Sequence, residues 1–178
     1  MSDDPQPSFS RIVPAADDRR RLVCDHCGHV QYENPKIVVG SVVEHDGRIL
    51  LCRRAIEPRD GYWTLPAGYL ELGESPEEGA RREAREEVRA DLEIDRLLAT
   101  YSITRISQVQ LIYRATLATP GYSAGPESRE VELFKWDDIP WNELAFPSVH
   151  WALHHFRAVR GDTAFAPFAR SDLEPEGL

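Results

Sequence analysis

Cysteine is scarce in this 178-residue chain, and its three residues, Cys24, Cys27 and Cys52, are too few for a disulfide framework. No apolar run approaches the length of a membrane-spanning helix, and the N-terminus lacks the pattern of a signal peptide. We therefore expect a cytoplasmic protein with no membrane partner. Cys52 lies in an apolar stretch, where we expect it to be a small buried hydrophobic residue.

Positive charge is also in short supply, since the formal net charge is −9 at pH 7. Binding to a nucleic-acid polymer needs a basic face, so the composition argues against such a partner. A small anionic substrate is still compatible with this charge, because a bound metal ion supplies local positive charge. The chain is long enough for one globular domain with a small appendage.

A glutamate-rich stretch over residues 68–90 predicts a helix in its second half. Ser75 is the expected N-cap, and Pro76 is tolerated at the first helical position. At about 100° per residue, three carboxylates fall within one sector of this helix. A divalent cation would relieve their mutual repulsion, because Mg²⁺ and Mn²⁺ prefer oxygen ligands. The alternative is a solvated helix face balanced by neighbouring arginines. The three residues are Glu83, Glu86 and Glu87.

The same stretch resembles the Nudix box, the signature of the Nudix hydrolases. Gly68, Glu74 and residues 82–87 match the pattern, whereas Arg89 stands where the family has glycine. The resemblance implies an α/β (α+β) Nudix fold, an α/β/α sandwich around a mixed β-sheet. Because arginine lacks the freedom of glycine to end a helix in a left-handed turn, we expect altered local geometry and retained chemistry at Arg89.

The resemblance also implies a role for individual residues of the box. Arg82 is expected to orient a catalytic glutamate through a charged hydrogen bond, with Glu74 supporting that network. The general base is open between Glu83 and a loop carboxylate, Glu127 or Glu130, which follow a loop that could close over the substrate. Ordinary solvated loop charges are the alternative for these two. The metal ligands implied are Glu83, Glu86 and Glu87, with a backbone carbonyl near Gly68.

The N-terminal segment resembles the zinc ribbon found before the Nudix domain in some members, including nicotinamide- and flavin-dinucleotide pyrophosphatases. Cys24 and Cys27 match one of its two cysteine pairs, whereas residues 8–13 lie where the first pair is expected. Because a structural zinc ion needs four ligands, His29 or a partner subunit would have to complete a site for Zn²⁺. The alternative is a knuckle held by packing without zinc.

These resemblances divide the chain into an N-terminal extension (residues 1–33), a Nudix domain (34–160) and a polar C-terminal tail (161–178). They imply a homodimer that hydrolyses a small nucleoside diphosphate derivative of the ADP-ribose, FAD or NADH type and releases AMP. Two alternatives are a nucleoside triphosphate pyrophosphohydrolase and a noncatalytic ligand sensor. The aromatic residues available for stacking on the substrate are Tyr69, Tyr101, Tyr113 and Phe134.

Overall fold

The computed structural model describes residues 8–173, and the chain divides between Pro35 and Lys36 into two compact units. Residues 1–7 of the expected N-terminal extension and residues 174–178 of the expected tail lie outside the described residues. No helix between residues 8 and 173 has the length and apolar character needed to cross a membrane.

Over residues 8–35, the first unit forms a small antiparallel sheet of three strands. Its strands, in spatial order, are β1 (Phe9–Ile12), β2 (Arg21–Cys24) and β3 (Val30–Gln31). The turn from β2 to β3 is closed by a hydrogen bond of 2.9 Å from the Gly28 N–H to the Cys24 carbonyl. Gly28 has a φ of 72°, a conformation that glycine adopts at no steric cost.

Over residues 36–173, the second unit contains eight strands in one sheet and two α-helices. The strands are β4 (Lys36–His45), β5 (Arg48–Arg54), β6 (Trp63–Thr64), β7 (Ala67–Tyr69), β8 (Leu92–Ile103), β9 (Gln108–Leu117), β10 (Ser128–Phe134) and β11 (Phe168–Ser171), and the helices are α1 (Pro76–Val88) and α2 (Pro147–Ala158). The main path of the sheet runs β10-β5-β4-β9-β8-β11, with β6 on β5 and β7 on β4. It is mixed, since β4 and β9 are parallel whereas β8 and β9 are antiparallel.

The two helices cover opposite faces of this sheet. Side chains alternate across a strand, so consecutive buried residues such as Val42 and Val43 on β4 must enter two different cores. Val42 packs in the cluster that contains Phe156 of α2, and Val43 packs in the cluster that contains Val88 of α1. This arrangement confirms the predicted α/β/α sandwich around a mixed sheet.

The region expected to be a polar C-terminal tail contains one more strand of the sheet. β11 pairs in parallel with β8, with Phe168 opposite Ala99 and Ser171 opposite Ser102. The pairing continues past the strand, because the Asp172 N–H donates to the Ser102 carbonyl at 3.1 Å.

Candidate active site

Helix α1 carries most of the predicted site, and its start confirms the sequence prediction. Ser75 is the N-cap, and its hydroxyl accepts a hydrogen bond from the Glu78 N–H while the Glu78 carboxylate accepts one of 2.8 Å from the Ser75 N–H. This reciprocal capping box satisfies two donors that a helix start leaves unpaired. The face of α1 on the sheet is formed by fully buried Ala80, Ala84 and Val88.

The end of α1 is closed by a docked loop. Arg89 adopts the left-handed conformation itself, with a φ of 48°, so the expectation of altered backbone geometry there is wrong. This conformation costs a non-glycine residue about 1 kcal/mol. The carbonyls of Glu87 and Val88 accept hydrogen bonds of 2.9 and 3.0 Å from the Gly125 and Ser123 N–H groups. These bonds attach the loop that precedes Glu127 to the C-terminal end of the helix.

Arg82 is the hub of the charged network on α1. Its guanidinium donates to Glu74 and to Glu83, at 2.8 Å each, and to Glu86 at 3.1 Å. A bond of 2.8 Å to a fourth partner reaches the Tyr69 carbonyl on β7. Hydrogen bonding to Glu74 is the largest cause of the raised pKa of Arg82. A planar guanidinium supports this many partners, which a lysine could not. The catalytic roles of these residues stay predictions.

The three carboxylates of the predicted metal site differ in burial. Glu83 and Glu87 are 8% and 6% exposed, whereas Glu86 lies at the surface. Burial raises the pKa of Glu87 to about 7, although its carboxylate accepts a bond of 2.9 Å from the Ala67 N–H. Burial likewise raises the pKa of Glu83 against the opposing effect of Arg82. Two buried carboxylates that repel each other favour a nearby cation.

This donor set fits a hard divalent cation. All three side chains offer oxygen, the ligand atom that Mg²⁺ and Mn²⁺ prefer. The Glu83 carboxylate occupies space that only glycine at position 68 leaves open, since a Cβ there would lie 2.3 Å from Glu83 Oε2. Within residues 8–173, no three His, Cys, Asp or Glu side chains are already arranged around a metal position. Arg82 donates to one oxygen of each of two carboxylates, Oε1 of Glu83 and Oε2 of Glu86, and thereby orients both.

A cleft of about 930 Å³ opens beside α1 and brings the predicted residues of the box together with a loop carboxylate. Glu127 acts electrostatically on both Glu83 and Glu87, raising the pKa of each. The sequence-predicted residues that line the cleft are Gly68, Tyr69, Arg82, Glu83, Glu86, Glu87 and Glu127.

Several other predicted residues lie elsewhere. Glu130 forms an exposed ion pair of 3.4 Å with Arg53 on the neighbouring strand β5. Tyr101 is fully buried, and its hydroxyl lies at hydrogen-bond distance, 2.8 Å, from His155 Nδ1. Phe134 packs edge-on against the buried ring of Trp63. The remaining two are Glu74 and Tyr113. Glu74 accepts a hydrogen bond from Arg82, and Tyr113 is buried, which raises its pKa to about 12.

Sequence reasoning missed part of the cleft wall. Gln108 and Gln110 lie two residues apart on β9, and Gln108 Nε2 donates to the Tyr69 hydroxyl at 3.2 Å. A polar pair with period two in an apolar strand was the signal that could have found them. Trp151 and Arg105 also line the cleft, but they come from α2 and from a 3₁₀ turn, Thr104–Ile106, and have no comparable signal.

The cysteines of the first unit do not complete a zinc site. Backbone N–H groups of Cys27 and His26 lower the pKa of the Cys24 thiol, as expected for a knuckle that favours thiolate. No third His, Cys, Asp or Glu joins these two thiols in the described part of the chain, so the structure does not place His29 with them as the expected third ligand. Asp25 accepts hydrogen bonds from serine side chains of β1 and its neighbour. Residues 8–35 therefore do not by themselves bring together the four ligands of structural zinc.

Comparison with known proteins gives matches to two family models and to named relatives. The NUDIX domain model matches residues 34–162, and the Nudix N-terminal model matches residues 7–33. An ADP-ribose pyrophosphatase of Methanocaldococcus jannaschii is 31% identical over 119 residues, which cover 65% of this chain and 69% of that protein. A nucleoside triphosphatase NudI of Enterobacter sp. is 33% identical over 90 residues, covering 44% of this chain and 64% of that protein.

A crystal structure of a NUDIX hydrolase from Nitrosomonas europaea superposes with a TM-score of 0.87 at 38% identity, covering 97% of this chain and 99% of that one. The agreement thus extends over nearly the whole length of both chains. The two named enzymes above share only about two thirds of their length with this chain.

Proposed function

This chain belongs to the Nudix hydrolase family, and from that membership we propose that it hydrolyses the pyrophosphate bond of a nucleoside diphosphate derivative. The substrate class is that of ADP-ribose, FAD or NADH, and one product is AMP. The attacking water forms a new bond to phosphorus while the bond from phosphorus to the bridging oxygen breaks.

The cleft is the observation that carries this proposal. Its volume of about 930 Å³ lies near the upper end of the range for small-molecule sites, which favours a two-part substrate over a mononucleotide. Acidic residues of α1 border it on one side, and its other lining includes Phe146, Trp151 and the amides of Gln108 and Gln110. These groups suit a pyrophosphate joined to larger, partly aromatic groups.

The acidic residues need a cation before they can accept an anionic substrate. Glu83, Glu86 and Glu87 would hold Mg²⁺ or Mn²⁺, which when bound neutralises pyrophosphate charge and lowers the pKa of water. Arg82 keeps two of these carboxylates oriented, as a hydrogen-bonded neighbour of metal ligands commonly does. Arg54 adds positive charge to the cleft lining.

We assign the general base to Glu127. Glu130 is paired with Arg53, and Glu83 is held by Arg82 and belongs to the proposed metal ligands. Glu127 lines the cleft on an anchored loop, where it can take the proton that the attacking water loses. We expect Glu127→Gln to reduce kcat by on the order of 100-fold to 10,000-fold. An unchanged kcat of Glu127→Gln would refute this assignment and favour Glu83 as the general base.

The testing experiment is a product assay with Mg²⁺ or Mn²⁺ over ADP-ribose, FAD, NADH and the nucleoside triphosphates. The proposal expects AMP from at least one of the first three. Glu86→Gln should lower this turnover by roughly 100-fold or more, whereas Glu93→Gln, at an exposed position on β8, serves as the matched control. Full metal-dependent turnover by Glu86→Gln would refute the ligand assignment.

Nucleoside triphosphate pyrophosphohydrolysis is the second candidate, supported by the 33% identity to a nucleoside triphosphatase. It would release inorganic pyrophosphate and a mononucleotide in the same assay, so the products separate the two candidates. Ligand binding without turnover would instead favour the sensor alternative. The homodimer and the cytoplasmic location stay predictions, and so does zinc, for which the described residues do not bring four ligands together.

A further inference from the structure

Strand β11 lies beyond residue 162, where the match to the NUDIX domain model ends, yet its Arg170 contacts a residue of the cleft wall, Trp151. Side chains two apart on a strand share a face. On β11 and just after it, three such residues each contact the segments beside the cleft. We call them the C-terminal clasp; they are Phe168, Arg170 and Asp172.

The last residue of the clasp holds a turn. The Asp172 carboxylate accepts hydrogen bonds from the Thr104 N–H at 2.9 Å, the Thr104 hydroxyl at 2.8 Å and the Arg105 N–H at 3.3 Å. These bonds, above all the one from the Thr104 N–H, lower the pKa of Asp172. Arg105 and Ile106 of this 3₁₀ turn line the cleft, as Asp172 itself does. Three bonds to one carboxylate therefore fix the backbone of a short wall segment.

The other two residues of the clasp hold α2. The guanidinium of Arg170 lies over the indole of Trp151, 4.7 Å from the ring centroid, and Trp151 lines the cleft. The Phe168 ring stacks on His155 with centroids 4.2 Å apart and an interplanar angle of 3°. The clasp thus restrains one aromatic wall residue on α2 and one turn after β8.

We propose that the C-terminal clasp sets substrate affinity by positioning the wall that receives the base-bearing half of the substrate. This inference rests on the proposed function. The wall combines the Trp151 indole with the amides of Gln108 and Gln110, which offer stacking and hydrogen bonds to a heteroaromatic ring. The clasp residues position the wall and take no part in the bond-breaking step.

The variants that test the clasp are Arg170→Ala and Asp172→Asn, with Arg170→Lys as the conservative rescue because lysine retains the cation over the ring. Ala169→Ser is the matched control, since Ala169 is an exposed residue of the same strand whose side chain points to the other face. Thermal unfolding of each variant verifies that it is folded.

The first readout needs no substrate. Hydrogen exchange of a peptide spanning residues 103–107 should become faster in Asp172→Asn and should not change in Ala169→Ser. The asparagine amide keeps one acceptor oxygen for Thr104, but its NH₂ group replaces the oxygen that accepts from the Arg105 N–H. The second readout is turnover of ADP-ribose with Mg²⁺. Arg170→Ala and Asp172→Asn should raise KM about tenfold and leave kcat within about twofold, the pattern for lost uniform binding, and Arg170→Lys should restore KM.

Each outcome decides the inference. Unchanged exchange in Asp172→Asn would overturn the clasp as a restraint on the turn, and faster exchange with unchanged KM would overturn its role in affinity. A fall in kcat at unchanged KM would overturn the assignment to binding. If the wild type turns over no substrate, the proposed function fails, and the role of the clasp is then decided by calorimetric binding of AMP in the presence of a chelator. Weaker AMP binding by Arg170→Ala than by the wild type supports the role of the clasp in affinity. Equal binding by the two proteins, or no binding by the wild type, refutes it.

Discussion

Gly68→Ala tests the placement of Glu83 with a single methyl group. The new Cβ would lie 2.3 Å from Glu83 Oε2 and 2.4 Å from both Cδ and Oε1. An ordinary contact begins at 3.4 Å, so the carboxylate oxygen at 2.3 Å must move by about 1.1 Å. That movement also breaks the bond of 2.8 Å to Arg82.

The expected loss is in activity and not in stability. A misplacement of about 1 Å in a catalytic site costs on the order of 100-fold in rate, or about 2.7 kcal/mol of transition-state stabilisation. Glycine to alanine at an ordinary φ stabilises a fold by about 0.4–1 kcal/mol, which offsets the turning of one flexible side chain. We therefore expect Tm to stay within about 4 °C of the wild type.

The assay measures Mg²⁺-dependent turnover and Tm in a double-mutant cycle, which compares the wild type, Gly68→Ala, Glu83→Asp and the double variant. Aspartate is shorter by one methylene group, so it leaves room for the alanine methyl, and the double variant should lose less activity than the two single losses predict. Full activity of Gly68→Ala at unchanged Tm would refute the argument that this carboxylate must stay where it lies. Strictly additive losses would refute the steric coupling.

Three further changes have different expected results. Gly125→Ala would place a Cβ 1.7 Å from the backbone carbonyl oxygen of Glu86, which cannot rotate away as a side chain could. We therefore expect the free energy of unfolding, measured by thermal unfolding, to fall by about 2–4 kcal/mol. An unchanged Tm would contradict this contact. Arg82→Lys should raise the Mg²⁺ concentration needed for half-maximal turnover by about 10-fold to 100-fold, and an unchanged requirement would argue against a positioning role. Burial, together with Arg170 and His154, lowers the pKa of His155 in the folded protein from its ordinary value of 6.5. The unfolded chain therefore binds the proton more tightly, and stability should fall as the pH drops below 6.5. The fall in Tm between about pH 7.5 and about pH 5.5 should be smaller in His155→Gln than in the wild type, and an equal fall would rule out this histidine as the cause.

The helix at the centre of the site could be predicted because its signals are local. Ser75 and Glu78 cap it through neighbouring backbone groups, and Ala80, Ala84 and Val88 share a face because of the helical period. The shared sector of the three glutamates follows from the same period. The resemblance then identified the family, and the comparisons agree.

The same local signals could not rank the candidate residues. Tyr101 and Tyr69 are both tyrosines in or near apolar strands, yet Tyr101 is fully buried whereas Tyr69 lines the cleft. Alternation along a strand predicts that two faces exist but not which neighbour covers each face. Glu127 and Glu130 likewise differ in their surroundings, since Glu127 lines the cleft whereas Glu130 pairs with Arg53 on the adjacent strand.

The sequence by itself determined the helix, its cap, the carboxylate sector and the family, because these depend on residues a few positions apart. Only the tertiary structure decided that Arg82 reaches the Tyr69 carbonyl, that the loop before Glu127 packs on the end of α1, and that a segment predicted to be a polar tail joins the sheet as β11. Those contacts join residues from 13 to more than 60 positions apart, where pairing depends on how the whole chain packs and not on the period of any one element.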